Sequence, residues 1–311
     1  MRRDALGIPA LAQRKSLRRW REYSRPQEVL GSVGGVEGRN WKIETRNSKL
    51  ENRNSKIAAK FVSFHFRFSI LPMGKLEGKT VLITGASRGI GLAIARALDQ
   101  EGAKLILVGL HSSPLARAAQ QIPGAVMSLA IDVTKPGEVK RLFTAVKRQV
   151  RRLDVLINNA GVFTFKPFTK TTLEDWRRNI ETNLTSIFLT TQAALPLLKR
   201  SQGDVVNILS VSSRIAFPNC SAYSAAKFGA LGLTNVLRRE LRAEGIRVMA
   251  VLPGMTETRM KNELDFPMRD EDLLQPEDVA AAVVSALVQP RRATAEEIFL
   301  MPSGGPLVGG D

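Results

Sequence analysis

The chain is short of the groups that carry thiol, hydrolytic and metal chemistry. Its one cysteine, Cys220, excludes an intramolecular disulfide and a thiolate zinc site within one chain, and reads as a buried inert thiol. Of its two histidines, His65 lies in a basic N-terminal stretch and His111 follows the second expected strand. Neither can complete a Ser-His-Asp arrangement with Ser210, and no metal site is expected. Long hydrophobic runs are missing too. The apolar alternation from Phe61 to Leu71 is far shorter than the ~20 residues of a membrane helix and contains His65 and Arg67. Met1 to Ala10 lacks the apolar core of a secretory signal, so a cytoplasmic protein without membrane contact is expected.

Acidic residues are scarce, 29 Asp/Glu against 46 Lys/Arg for a net charge of +17. The imbalance is concentrated at one end, since residues 1–72 hold 16 Lys/Arg against 6 Asp/Glu. This stretch repeats every seven residues, as Arg39-Asn40-Trp41-Lys42-Ile43, Arg46-Asn47-Ser48-Lys49-Leu50 and Arg53-Asn54-Ser55-Lys56-Ile57. One apolar position per repeat is too few for a coiled coil, which needs two. A basic arm for nucleic acid or an anionic surface, an organelle transit segment, and an over-long gene model are three readings of it. The last is preferred, with Met73 as the natural start. The expected division is a disordered extension over 1–72 and a catalytic domain over 73–311.

With 44% apolar residues there is ample material for a core. Beyond Met73 apolar strands alternate with amphipathic helices, which predicts an α/β fold with a doubly wound parallel sheet of about seven strands. Strands are expected near 79–84, 104–109, 126–131, 154–159, 204–210, 246–252 and 297–301. Helices are expected near 90–101, 113–121, 136–151, 172–199, 222–244 and 276–288. Gly85, Asp132, Asn159, Ser210 and Gly254 then fall at carboxyl ends of strands, where such sheets open a ligand crevice.

Two motifs lie in that crevice. Thr84-Gly85-Ala86-Ser87-Arg88-Gly89-Ile90-Gly91 joins the strand Val81-Leu82-Ile83 to a helix, and its glycines allow a tight turn and close approach of a pyrophosphate to the helix N-terminus. Tyr223 and Lys227 are spaced by one helical turn and leave the same helix face. A fixed ammonium favours the phenolate, so Lys227 is expected to draw the Tyr223 pKa from ~10 toward working pH and make it an acid–base group. Tyr23, the other tyrosine, lies in the basic stretch.

With these motifs, residues 75 to 304 resemble the classical short-chain dehydrogenases/reductases, in general look the 3-oxoacyl-carrier-protein reductase type. The resemblance rests on the glycine turn, on Asn158-Asn159-Ala160-Gly161, on Asn183, on Ser210 thirteen residues before Tyr223, and on Pro253-Gly254-Met255-Thr256-Glu257-Thr258. It implies a Rossmann-type fold and a catalytic tetrad of Asn183, Ser210, Tyr223 and Lys227. In it Tyr223 transfers the proton, Ser210 orients the substrate oxygen, Lys227 holds the nicotinamide ribose, and Asn183, at a helix interruption, positions a water linking Lys227 to solvent. Implied cofactor contacts are Gly85, Ser87, Arg88, Gly89, Ile90 and Gly91 in the turn, and His111, Asp132 and Val133 at the next two strand ends. Asn159, Ala160 and Gly161, then Pro253, Gly254, Thr256 and Thr258, complete the set with Tyr223 and Lys227. One departure is Ser213, where the family usually has glycine, which bears on the loop from Ser212 to Pro218.

The second strand ends in Val108-Gly109-Leu110-His111-Ser112-Ser113, without the acid that selects NAD. Arg88 is placed to meet a 2′-phosphate, and NADP is favoured. The expected function is NADP-dependent hydride transfer on a carbonyl or secondary alcohol, small or carrier-bound and of 3-oxoacyl type. An NAD-dependent alcohol, sugar or steroid dehydrogenase is one alternative, and a non-catalytic scaffold binding nucleic acid through its basic stretch is another, against which the intact tetrad argues. Phe163, Phe165, Phe217, Met255 and Phe266 are candidates for an apolar pocket. The family forms helical two-fold interfaces, and Leu184, Ile187, Phe188, Leu195, Leu198, Phe228, Leu231, Leu233 and Leu237 offer surface for a homodimer or homotetramer.

Overall fold

Short apolar runs rich in Val, Ile and Leu, broken by glycine and polar turns, form the strands. β1 is Thr80–Thr84, β2 Lys104–Gly109, β3 Ala125–Ala130, β4 Val155–Asn158, β5 Asp204–Ile208, β6 Arg247–Pro253 and β7 Glu297–Leu300. The computed structural model describes residues 74–259 and 273–303. The basic stretch with its heptad repeat, the Phe61–Leu71 segment, the start at Met73, and Phe266 with most of the expected pocket cap lie outside the described residues. Among those residues the seven strands make one parallel sheet in the order β3-β2-β1-β4-β5-β6-β7. The order reverses between β1 and β4, and the crevice beyond the strand carboxyl ends opens at that switch point.

Helices cover both faces, as full burial of parallel strands requires. In chain order they are α1 Gly89–Gln100, α2 Ser112–Gln120, α3 Pro136–Gln149, α4 Leu173–Ile180, α5 Ser186–Ser201, α6 Ser221–Glu240 and α7 Pro276–Leu287. Period-two alternation assigns strand residues to opposite sides. Val81, Ile83, Leu105, Leu107 and Ile157 pack with Ile94 and Leu98 of α1 and Val279 and Val283 of α7. Leu82, Ile106, Val108 and Leu156 pack instead with Leu142 and Val146 of α3 and Leu197 and Leu198 of α5. Each such fully buried side chain contributes roughly 1.5–3 kcal/mol.

Where helices begin, the local chemistry explains why. Pro136 opens α3 with Glu138 in its first turn. Thr172 and Asp175 form a reciprocal capping box at α4, and Gln275 and Asp278 do so at α7, where Pro276 takes the first position. The helix expected over 172–199 is not continuous, for a π-helical turn over Glu181–Thr185 separates α4 from α5. Such bulges concentrate at functional sites because one carbonyl escapes the regular ladder. The helix expected to reach 244 ends at Glu240 and is followed by a 3-10 turn over Arg242–Glu244.

The remote end of the sheet is fastened by charge. Arg247 forms a bidentate pair with Asp204 at 2.8 and 2.7 Å, and its remaining donors reach the carbonyls of Leu287, Gln289 and Ala293. Of the apolar surface expected to meet a partner, Ile187, Leu198 and Leu231 are core, whereas Phe188 and Phe228 remain 47% and 44% exposed.

Candidate active site

The turn after β1 is shaped by steric necessity. Gly85 and Gly89 have φ of +65° and +53°, the left-handed region glycine tolerates without strain. A Cβ on Gly91 would stand 2.3 Å from the Gly85 carbonyl oxygen and 2.5 Å from Asn159 Nδ2, so helix and turn pack closer than any side chain allows. Asn159 locks this arrangement from β4, its Nδ2 donating to the carbonyls of Thr84 at 3.0 Å and Gly85 at 3.2 Å. The Thr84 hydroxyl accepts from the Asn159 and Ala160 amides. The first turn of α1 has no side-chain cap, and its free N–H groups with the helix dipole suit a phosphate. These residues fit a dinucleotide pyrophosphate.

The other half of the site belongs to β5 and α6. Ser210 follows β5, and Tyr223 and Lys227 lie in the first two turns of α6, all three buried. Lys227 Nζ donates to the Ile208 carbonyl at 3.2 Å and sits 5.6 Å from the centroid of the Tyr223 ring. Phe163 meets that ring edge-on, with centroids 4.9 Å apart at 89°.

Burial dominates the titration here and corrects the expected effect of Lys227 on Tyr223. Desolvation pushes the phenol up to about 12; the Ser210 hydroxyl beside it pulls the other way, and the nearby Cys220 thiol adds to the rise. Desolvation also brings Lys227 down to about 8. Cys220 is raised to about 12 by burial and is a neutral thiol at physiological pH, as its inert reading expected.

These shifts have a consequence for stability. Between pH 8 and 10.5 the unfolded chain binds more protons at Lys227 than the folded one, so the cost of burying its charge is full below pH 8 and is relieved as pH rises through that window. Cys220 and Tyr223 act oppositely above their unfolded values of 9.0 and 10.0. Wild type should therefore gain about 1 kcal/mol of unfolding free energy relative to Lys227→Met between pH 7 and pH 9. Urea denaturation at both pH values measures this; parallel profiles for the two proteins would show that Lys227 is not buried as a cation.

A cleft of about 1280 Å³ joins the two halves, above the ~300–1,000 Å³ usual for a single-ligand pocket. Of the predicted site residues it is lined by Gly85, Ser87, Arg88, Gly89, Ile90, His111, Asp132, Val133, Asn159, Ala160, Gly161, Ser210, Tyr223, Lys227, Pro253, Gly254, Thr256 and Thr258. Gly91 and Asn183 support it from behind. Asn183 lies in the π turn, fully buried, accepting from the Val162 amide at 3.2 Å and donating to the Val162 carbonyl at 2.9 Å and the Asn179 carbonyl at 3.1 Å. It thus clamps the loop after β4. Thr256 is bridged to Leu274, which holds the loop after β6.

Ser213 needs no glycine conformation, since its φ is not positive, and it lies in a 3-10 turn with its amide donating to the Ser210 carbonyl at 2.9 Å. It is not among the cleft-lining residues, although Ser212 before it and Phe217 after it are. Its buried hydroxyl has no hydrogen-bond partner. Sequence reasoning missed a buried ladder in which Asn158 Nδ2 donates to Asn207 Oδ1 at 2.8 Å and Asn207 Nδ2 to Thr234 Oγ1 at 2.9 Å. Polar residues inside two apolar strands, Asn158 in β4 and Asn207 in β5, were the available signal.

A doubly wound sheet with a glycine-turn phosphate cradle opening onto a serine, a tyrosine and a lysine defines a dinucleotide-binding oxidoreductase. The comparisons with known proteins agree on which kind. The family model for short chain dehydrogenase matches residues 79–268, and the chain belongs to that family. An oxidoreductase of Staphylococcus saprophyticus, described as uncharacterized, is 34% identical over 235 residues, covering 74% of this chain and all of that protein. Among solved structures, an alcohol dehydrogenase of the archaeon Thermococcus sibiricus complexed with 5-hydroxy-NADP is 30% identical with a TM-score of 0.68, covering 72% of this chain and 97% of that one. A metagenomic short-chain oxidoreductase in complex with NADP is 30% identical with a TM-score of 0.64, covering 74% of this chain and 99% of that one. Among the described residues no helix is long and apolar enough to cross a membrane, and no cluster of His, Cys, Asp and Glu could hold a metal ion.

Proposed function

We propose that the protein is an NADP-dependent reductase that reduces a carbonyl to a secondary alcohol with Tyr223 as proton donor. The observation that carries this reading is the single cleft shared by the phosphate cradle and by Ser210, Tyr223 and Lys227. When bound, the cofactor supplies the hydride. Ser210 directs the substrate oxygen toward Tyr223, whose phenol, raised to about 12, holds its proton throughout the physiological range and is therefore a donor before it is a base. Lys227 supplies positive charge over the ring and donors for ribose hydroxyls. Asn183 keeps Val162, and with it the floor of the cleft, in place, and the water-positioning role that the resemblance implies for it belongs to the same proposal.

A cytoplasmic location belongs to the same proposal, as does a homo-oligomer, supported by the exposed Phe188 and Phe228; a 3-oxoacyl or carrier-bound substrate is the competing substrate class, which the substrate panel distinguishes. The catalytic unit is assigned to residues 73–311.

Cofactor choice rests on the β2 end, where Leu110 and His111 are exposed and no carboxylate stands, while exposed Arg88 lines the cleft at the first turn of α1. Arg88→Ala should weaken NADPH binding about tenfold and leave NADH binding unchanged, as for a charge-assisted contact to one phosphate. Fluorescence titration with both nucleotides reads this, and NADH bound more tightly than NADPH by wild type would refute the preference. NADPH oxidation across a panel of carbonyl substrates tests the reductase reading itself; absence of any turnover with NADPH bound would sink it.

A further inference from the structure

We infer that the segment from Val162 to Lys166 is a fixed aromatic strap and that Phe163 is a specificity-determining residue selecting substrates with an apolar, ring-bearing group beside the carbonyl. The inference rests on the reductase reading of the cleft and names the class of carbonyl it takes.

The strap follows from its anchors. Val162 is held through both backbone groups by Asn183, as described above. Thr164 is buried and its hydroxyl accepts from Asn179 Nδ2 at 2.8 Å. The Lys166 amide donates to the Asn219 carbonyl at 2.8 Å, and its ammonium bonds both carboxylate oxygens of Asp175 at 2.9 and 2.8 Å. Residues 162, 164 and 166 are thus tied to α4, the π turn and the loop before α6. Between these anchors Phe163 and Phe165 line the cleft beside Val162, half-buried and stacked with centroids 6.2 Å apart.

The position of Phe163 gives the strap its chemical meaning. Its ring stands edge-on to Tyr223, the proton donor, so whatever flanks the reacting carbonyl on that side meets an aromatic surface. Buried Cys220, three residues before Tyr223 on α6, and Phe217 also line the cleft. The charged side chains that α4 brings to the cleft, Glu174, Arg177 and Arg178, are exposed and stay accessible to water. A polyhydroxylated substrate set against the aromatic wall loses hydration without gaining partners, which disfavours it. An aryl group gains both apolar burial and ring-edge contact.

The experiment separates binding from turnover. Calorimetry with the NADP-loaded full chain compares 1-phenylethanol with glycerol as probes, and steady-state kinetics compares acetophenone with dihydroxyacetone. Wild type should bind 1-phenylethanol at least about tenfold more tightly than glycerol and show a kcat/KM at least about a hundredfold higher for acetophenone. Phe163→Ala should cut the acetophenone preference at least about tenfold, through KM more than kcat. Phe163→Leu, which keeps apolar volume and protects against a folding failure, should lose less. Equal binding of the two alcohols by wild type, or an unchanged preference in folded Phe163→Ala and Phe163→Leu, would overturn the assignment. Selective 1-phenylethanol binding that depends on Phe163, with neither ketone reduced, would uphold the aromatic wall and overturn the reductase reading alone.

Discussion

Tyr223→Phe is expected to lower turnover at least about a hundredfold while leaving NADPH affinity nearly unchanged. The substitution removes one oxygen and little else. The ring keeps its edge contact with Phe163 at 4.9 Å and its place beneath Lys227, so α6 and the cleft retain their shape. What disappears is the proton donor, and the described residues contain no second phenol to replace it. Lysine is a poor substitute, because Lys227 Nζ is engaged with the Ile208 carbonyl. Single-turnover NADPH oxidation paired with nucleotide titration separates chemistry from binding. Turnover within tenfold of wild type would remove Tyr223 from the acid–base role.

Gly91→Ala has the second largest expected effect, and it acts on binding. An added methyl must displace the Gly85 carbonyl from 2.3 Å or push Asn159 out of its bonds to Thr84 and Gly85. Neither is the free end of a flexible side chain. Overpacking of this kind costs about 1–3 kcal/mol, and the strain falls on the turn that must receive the pyrophosphate. NADPH affinity should drop about a hundredfold, with a lower melting temperature. Gly232→Ala is the control, since a Cβ there meets nothing within 4 Å on the exposed side of α6. It should leave cofactor binding alone and, by helix propensity, add about 1 kcal/mol of stability. Equal behaviour of the two variants would show that close packing at Gly91 plays no part in the cradle.

Legibility in the sequence followed the range of the interaction. β2 was readable end to end because its apolar run stops at Gly109, where local composition alone marks the edge. The cleft residues were readable because their spacing is set by neighbouring turns and one helix. By contrast, the break between α4 and α5 was implied only by the resemblance, which places Asn183 at a helix interruption, while the helical pattern runs through it; the pairing of Asn183 with Val162 across the fold fastens it. The protonation of Tyr223 failed for a similar reason. A four-residue spacing places Lys227 near the phenol, but desolvation by surrounding elements decides the sign, and no spacing reports burial. Phe163 was visible as an apolar candidate; its contact with Tyr223 joins residues sixty positions apart and was not.

The strap divides labour between heritable positions. Changes at 164 or 166 threaten side-chain bonds that fasten it to α4, whereas changes at 163 or 165 touch the cleft while leaving those bonds in place. A lineage can therefore drift from one ketone to another through two codons without crossing a valley of unfolded intermediates. The same partition makes a two-site saturation library at 163 and 165 an economical starting point for directed evolution of this catalyst.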